Sequence, residues 1–177
     1  MKLYHIGCII VTIIVMFSCK NESNMAQFIP APQNIRFPND LILIDNDYSL
    51  PFNGVNAKAK IIVNFDSLVC GPCAVTSLRN WTEIVDTIES FKGDASIVFV
   101  FSPSDEDMAP VYEMLKENPL CYPLYFDESH SFAKINKMPK GAFICLVNET
   151  DSVLYYGNPL REPFWNEYQN KLDSLLN

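Results

Sequence analysis

Two cysteines, Cys70 and Cys73, lie three residues apart in this chain and enclose a Gly-Pro dipeptide. They follow the mainly apolar residues 61–65, typical of a buried strand, and an amphipathic helical pattern begins directly after them. A thiol at the start of a helix is unusually acidic, because unpaired backbone N–H groups and the positive end of the helix dipole favour thiolate. The second thiol lies close enough to attack a mixed disulfide. The spacing therefore predicts a site that exchanges disulfides with another protein.

Two other roles for this cysteine pair stay open. A zinc ion would need two further ligands that converge on the pair. The chain has only two histidines, His5 and His130, and His5 lies in the N-terminal segment that we predict below to be a signal peptide. We therefore predict no metal and no cofactor apart from the disulfide itself. A purely structural disulfide between Cys70 and Cys73 is the remaining alternative.

The N-terminus has the pattern of an export signal. Lys2 precedes an almost unbroken apolar run over residues 6–17, which is shorter than the roughly 20 residues that span a membrane. The following Ser18-Cys19 resembles a bacterial lipobox, so we predict a lipoprotein signal peptide over residues 1–19 with Cys19 as the lipidated residue. An ordinary cleaved signal peptide and an uncleaved signal anchor are the alternatives.

The rest of the chain is predicted to be a tether and one domain. Residues 20–40 contain three prolines among polar residues, which predicts a flexible tether, and residues 41–177 form the domain. Hydrophobic residues make up 49% of the sequence, enough for a substantial core. The net charge of −8, without a lysine or arginine cluster, gives no reason to expect nucleic acid binding.

Two further cysteines of the domain, Cys121 and Cys145, are expected to be bystanders. An exported protein can form disulfides, but one close pair and two scattered residues do not resemble a disulfide scaffold. Cys145 lies in an apolar run, where a free cysteine packs as a small apolar residue. Cys121 follows a proline-containing turn and is expected to be partly exposed. A disulfide between these two residues is the alternative.

The predicted elements alternate between strands and helices. Four helical patterns cover residues 74–88, 108–115, 129–135 and 165–175, and the predicted strands cover residues 41–44, 61–65, 96–101, 122–126, 143–147 and 153–156. The order predicts an α/β fold with a central mixed sheet flanked by helices. Residues 41–44 and a short extended piece before Pro51 would form an N-terminal β extension.

This pattern resembles the thioredoxin fold, and more closely its exported, membrane-tethered TlpA/ResA-like branch, from about residue 41 to the C-terminus. The most specific part is Val63-Asn64-Phe65 followed after four residues by Cys70-Gly71-Pro72-Cys73. The resemblance implies that Cys70 is the exposed nucleophile and Cys73 the buried resolving thiol. Pro72 would fit the first helical turn and limit the geometry of the pair.

The resemblance also implies a substrate-aligning cis-proline at Met138-Pro139, beside the cysteines. In this sequence Phe143 follows that proline by four residues rather than the usual three. Asn64 replaces the buried aspartate of thioredoxins, and Val69 replaces the tryptophan before the first cysteine. These departures leave the proton path of Cys73 unassigned and alter the surface on which a substrate docks.

The function implied is that of a lipid-anchored thiol-disulfide oxidoreductase of a bacterial cell envelope, on the periplasmic or surface side. It would exchange disulfides with exported proteins, as a reductant, and an integral-membrane thiol donor would recharge it. Two alternatives are a peroxiredoxin-like peroxidase and a non-catalytic lipoprotein that uses the fold as a binding module. The peroxidase would need a threonine shortly before its cysteine, and residues 66–69 contain none.

Overall fold

A seven-stranded mixed sheet forms the centre of the molecule. The computed structural model describes residues 32–45, 48–51, 54–117 and 123–177. The strand order across the sheet is β2-β1-β5-β4-β3-β6-β7. The strands are β1 (Ile42–Asp45), β2 (Tyr48–Pro51), β3 (Ala59–Phe65), β4 (Ala95–Phe101), β5 (Leu124–Phe126), β6 (Ala142–Asn148) and β7 (Val153–Tyr156). The predicted α/β fold, with its mixed sheet and N-terminal β extension, is confirmed.

The strand β3 lies between β4 and β6, and all seven of its residues are buried. Its mainly apolar sequence predicts this burial. It pairs in parallel with β4 and antiparallel with β6. The antiparallel hairpin of β6 and β7 closes one side of the sheet, and β1 and β2 form the other. A buried Lys60 near the start of β3 forms an ion pair with Asp151 at 2.8 Å.

The described residues contain five α-helices and one 3₁₀ turn. The helical pattern after Cys73 is interrupted by this turn, at Leu78–Trp81, which separates two short helices. The helices are α1 (Gly71–Ser77), α2 (Thr82–Glu89), α3 (Met108–Lys116), α4 (Ser131–Asn136) and α5 (Glu162–Leu176). The side chains of Ala74, Val75 and Leu78 join the core on the sheet face of Val63 and Phe65.

Residues 33–40, which the sequence assigned to the tether, pack against the domain. Ile35 is buried, and the Phe37 ring lies 5.5 Å from the ring of Phe132 on α4. The backbone N–H of Arg36 donates to Asn136 Oδ1 at 2.7 Å, and Asn136 Nδ2 donates back to the Arg36 carbonyl at 2.8 Å. This segment is therefore part of the domain, because Ile35 and Phe37 join the core cluster that contains Phe132 of α4.

The predicted signal peptide with Cys19, the first part of the tether and Cys121 lie outside the described residues. Within the part of the chain that is described, no helix combines the length and the apolar character that a membrane span requires.

Candidate active site

Cys70 and Cys73 lie where the chain leaves the carboxyl end of β3 and starts α1. Cys70 is the N-cap residue of α1, and Pro72 occupies the first turn, where a missing N–H costs no intrahelical bond. The two cysteines form a disulfide with a Cα–Cα distance of 5.2 Å. The backbone N–H of Cys73 donates to Cys70 Sγ at 3.3 Å. That N–H would stabilise negative charge on Cys70 once the disulfide opens, as a nucleophilic thiolate requires.

Both cysteines are exposed residues. For Cys70 this agrees with the role of the first nucleophile. For Cys73 the expectation of a buried residue is wrong. The buried face of α1 is formed by Gly71, Ala74 and Val75, so residue 73 points away from the core. It lines an open groove together with Thr76 and other residues at the end of α1.

Asp66 connects the cysteine turn with the loop that precedes β6. One carboxylate oxygen accepts the Leu68 N–H at 2.9 Å, which closes a tight turn before Cys70. The other oxygen accepts the Gly141 N–H at 2.7 Å. The Asp66 side chain therefore bonds the loop that contains Pro139 to the cysteine turn, next to the Phe65–Ala142 pair of the β3–β6 ladder. An aspartate two residues before its N–H partner is a recognised turn signal, but the bond to Gly141 has no signature in the sequence.

We predict that Asp66→Ala disconnects these two loops. Hydrogen bonds to a charged group contribute about 1.5–3 kcal/mol each, so the free energy of unfolding should fall by about 2 kcal/mol after discounting for partial exposure. The KM for a disulfide-bonded protein should rise more than kcat falls, because the chemistry of the cysteines is left intact. Ser67→Ala, at an exposed neighbour, is the matched control. Unchanged KM and unchanged denaturation midpoint would contradict this role.

A second carboxylate, on Asp107 at the start of α3, lies against the cysteine turn. Its Oδ2 accepts the Gly71 N–H at 3.2 Å. Gly71 is buried at this point, and a Cβ added to it would overlap Val111 Cγ2 on α3. Only glycine therefore lets α3 approach so closely. The negative charge lies one residue from Cys70, where it disfavours the thiolate form.

Asn64 is completely buried, and neither its amide nitrogen nor its amide oxygen has a hydrogen-bond partner among the described residues. Strand alternation places it on the sheet face of Ile62, whereas α1 packs on the face of Val63 and Phe65. No hydrogen bond therefore connects Asn64 with the cysteines. Its proposed support of the site stays a prediction.

Cys145 is free and fully buried on β6, as the sequence predicts. Burial raises the pKa of its thiol far above the usual value, so the thiol stays protonated and inert. Among the described residues no group of three or more His, Cys, Asp or Glu side chains could hold a metal ion.

Comparison with solved structures identifies the architecture. A candidate thiol:disulfide interchange protein DsbE from Chlorobium tepidum has a TM-score of 0.58 and 14% identity, over 84% of this chain and 99% of that one. The fold is thioredoxin-like. An exposed lipoprotein thioredoxin, Etrx1, from Streptococcus pneumoniae has a TM-score of 0.52 and 14% identity, over 73% of this chain and 96% of that one.

A thioredoxin-like protein from Porphyromonas gingivalis has a TM-score of 0.53 and 16% identity, over 81% of this chain and 94% of that one. No protein-family model matches the sequence, and the comparison with curated proteins finds no match. At these identities the solved structures establish the thioredoxin-like fold and no more.

The loop expected to align substrates in a thioredoxin-like fold precedes β6, where Met138 is buried and Pro139 half-buried. No peptide bond of the described residues is cis, so the expectation of a cis bond at Pro139 is wrong. Gly141 has a positive φ of 98°, which provides the additional turn residue before Phe143. A role of Met138 and Pro139 in substrate binding stays a prediction.

Proposed function

We propose that this protein is a thiol-disulfide oxidoreductase that exchanges disulfides through Cys70 and Cys73. The observation that carries the proposal is an exposed disulfide at the first turn of a helix, with the Cys73 N–H on Cys70 Sγ. Cys70 thiolate would attack a substrate disulfide and form a mixed disulfide. Cys73 would then attack Cys70 Sγ in the mixed disulfide. This step releases the substrate as a dithiol and closes the enzyme disulfide. The names of two solved structures with this fold, an interchange protein and a lipoprotein thioredoxin, support it.

The working direction that we propose is reduction of disulfides in exported proteins. The Gly-Pro dipeptide between the cysteines matches thioredoxin, whose potential is about −270 mV. The carboxylate of Asp107 at Gly71 acts in the same direction, because a charge that disfavours the thiolate favours the closed disulfide over the reduced form. The dithiol form therefore gives up electrons more readily.

We further propose that the chain acts in a bacterial cell envelope, anchored through lipid on Cys19 at the end of its signal peptide. The sequence before residue 20 supports this location, as does the lipoprotein name of the pneumococcal structure. Its clients would be disulfide-bearing exported proteins. A reductant in an oxidising compartment must be recharged, and the resemblance points to an integral-membrane thiol donor.

Equilibration in glutathione redox buffers tests the proposed direction. We expect the fraction of oxidised Cys70–Cys73 to give a potential near −270 mV, and Asp107→Asn to raise it by about 15–30 mV by removing the charge. Quantifying the two thiols by mass after acid quenching keeps Cys121 and Cys145 out of the measurement. A wild-type potential near the −120 mV of strong oxidants would contradict the reductant direction.

A further inference from the structure

The exposure of Cys73 opens a second route to the disulfide. Cys73 lines a groove of about 420 Å³ on the outer side of α1 and the 3₁₀ turn. The other residues that line it are Pro72, Thr76, Ser77, Arg79 and Asn80. A surface depression of this size has room for a small molecule. A small thiol bound there would lie beside the cysteine that the thioredoxin-like resemblance would bury.

The groove contains one cationic side chain. Its lining includes Arg79 and no acidic residue, and the Arg79 guanidinium makes no ion pair or hydrogen bond among the described residues, whereas its backbone carbonyl accepts the Thr82 hydroxyl at 3.0 Å. The two hydroxyl groups nearby already donate within the helix, from Thr76 to the Pro72 carbonyl at 2.9 Å and from Ser77 to the Ala74 carbonyl at 2.7 Å. The groove thus offers a guanidinium and an amide donor to an incoming group, which suits a carboxylate.

The geometry of the disulfide favours attack at Cys73. When an incoming thiolate bonds to Cys73 Sγ, the Cys70–Cys73 bond breaks and Cys70 leaves with the electron pair as a thiolate. The Cys73 N–H, 3.3 Å from Cys70 Sγ, is placed to stabilise that leaving group. This N–H acts directly on Cys70 Sγ and opposes the effect of the Asp107 carboxylate, which lies one residue away at Gly71. Attack at Cys70 would instead release Cys73, whose Sγ accepts no hydrogen bond among the described residues.

We propose that the groove beside Cys73 binds a small thiol that carries a carboxylate, which reduces the disulfide by attack on Cys73. This inference rests on the proposed function and specifies one of its electron donors. A first donor thiolate forms a mixed disulfide with Cys73 and releases Cys70 thiolate. A second donor thiolate attacks the donor sulfur of that mixed disulfide, which releases the oxidised donor and Cys73 thiolate. Two donor thiolates supply the two electrons, and the products take up protons according to pH.

Clients and donors would therefore use different sulfurs. A protein disulfide would be attacked by Cys70, and Leu68, two residues earlier, offers an apolar side chain that is 66% exposed. The small thiol reaches Cys73 from the side of Arg79. This division would let the donor bind without competing for the surface on which a client protein docks.

A charge series of small thiols tests the inference. The oxidised full-length chain is mixed with 3-mercaptopropionate, 2-mercaptoethanol or cysteamine, and loss of the Cys70–Cys73 disulfide is followed after acid quenching. Rates are expressed per thiolate to remove differences in thiol acidity. We expect the anionic thiol to react fastest. In Arg79→Glu its rate should fall by roughly fivefold to tenfold while the cysteamine rate rises, because the local charge is inverted.

The matched control is Lys92→Glu. It makes the same change in net charge, but Lys92 lies in the turn between α2 and β4, at the opposite end of the sheet from the cysteines. We expect it to leave the charge order of the three thiols as in the wild type. Equal responses of Arg79→Glu and Lys92→Glu would overturn the inference, since only the overall charge would then matter.

The donor step at Cys73 is tested in reverse with Cys70→Ser, in which Cys73 is the free thiol of the pair, because attack of its thiolate on the oxidised donor is the reverse of the second step. We expect this variant to form a mixed disulfide with 3,3′-dithiodipropionate, which the Arg79→Glu change slows. Absence of that dependence on Arg79 would overturn the inference. Reduction of a protein disulfide by the wild-type chain, measured alongside, would still support the proposed function. Failure of that reduction as well would contradict the function itself.

Discussion

Replacing Cys70 with serine is expected to lower the rate of insulin reduction by at least about 10³-fold, because the covalent mixed disulfide cannot form. A serine hydroxyl is not ionised near neutral pH and does not attack a disulfide. The rate is measured by the turbidity of released insulin B chain with dithiothreitol as the donor. Wild-type activity in Cys70→Ser would contradict the assignment of the nucleophile.

Cys73→Ser and Cys145→Ala provide the comparisons for this result. Cys73→Ser retains the first attack but lacks the resolving thiol, so turnover should fall well below wild type and be limited by the release of the mixed disulfide by dithiothreitol. Cys145→Ala removes a buried, protonated thiol that contacts no substrate, and should retain most of the activity. The three activities together show whether the loss of activity is specific to the Cys70–Cys73 pair or follows from replacing any cysteine.

Replacing Asp127 with alanine is expected to lower the free energy of unfolding by about 3–5 kcal/mol, because buried donors lose their acceptor. Its carboxylate, which is fully buried, accepts the Ser102 hydroxyl at 2.8 Å and the Phe132 N–H at 3.0 Å. It also accepts the Ser131 N–H at 3.0 Å and hydroxyl bonds from Ser129 and Ser131 at 3.3 and 3.1 Å. These bonds join the ends of β4 and β5 to the start of α4.

The expected loss at Asp127 is a large part of the 5–15 kcal/mol that stabilises a typical domain. Denaturant unfolding followed by circular dichroism measures it. Asp105→Ala is the matched control, since the Asp105 side chain is 98% exposed and its removal should change stability by less than about 0.5 kcal/mol. Equal stabilities of the two variants would show that the Asp127 bonds contribute little beyond what water supplies.

The arrangement of the elements could be predicted because it depends on local patterns. The apolar run of β3, the helical spacing after Cys73 and the hairpin of β6 and β7 each leave a signature within a few residues. The position of the cysteine pair at the start of α1 follows from the same patterns. Such features require no knowledge of which distant residues meet.

The features that the sequence left open are contacts between distant segments. The bond from Gly141 to Asp66 joins residues 75 positions apart, and the bond from Gly71 to Asp107 joins residues 36 apart. The exposure of Cys73 depends on how α1 rotates against the sheet, which the close approach of α3 at Gly71 constrains. The packing of residues 33–40 similarly depends on contacts with α4, about 100 positions further along the chain.

The central claim, that Cys70 attacks a protein disulfide and Cys73 resolves the product, is tested most directly by trapping. The full-length Cys73→Ala variant is reduced, freed of reductant and mixed with insulin, and the products are analysed by mass spectrometry without reduction. We predict a mixed disulfide that maps to Cys70 and that dithiothreitol releases. Absence of a mixed disulfide on a folded protein, or its location on a cysteine other than Cys70, would contradict the account.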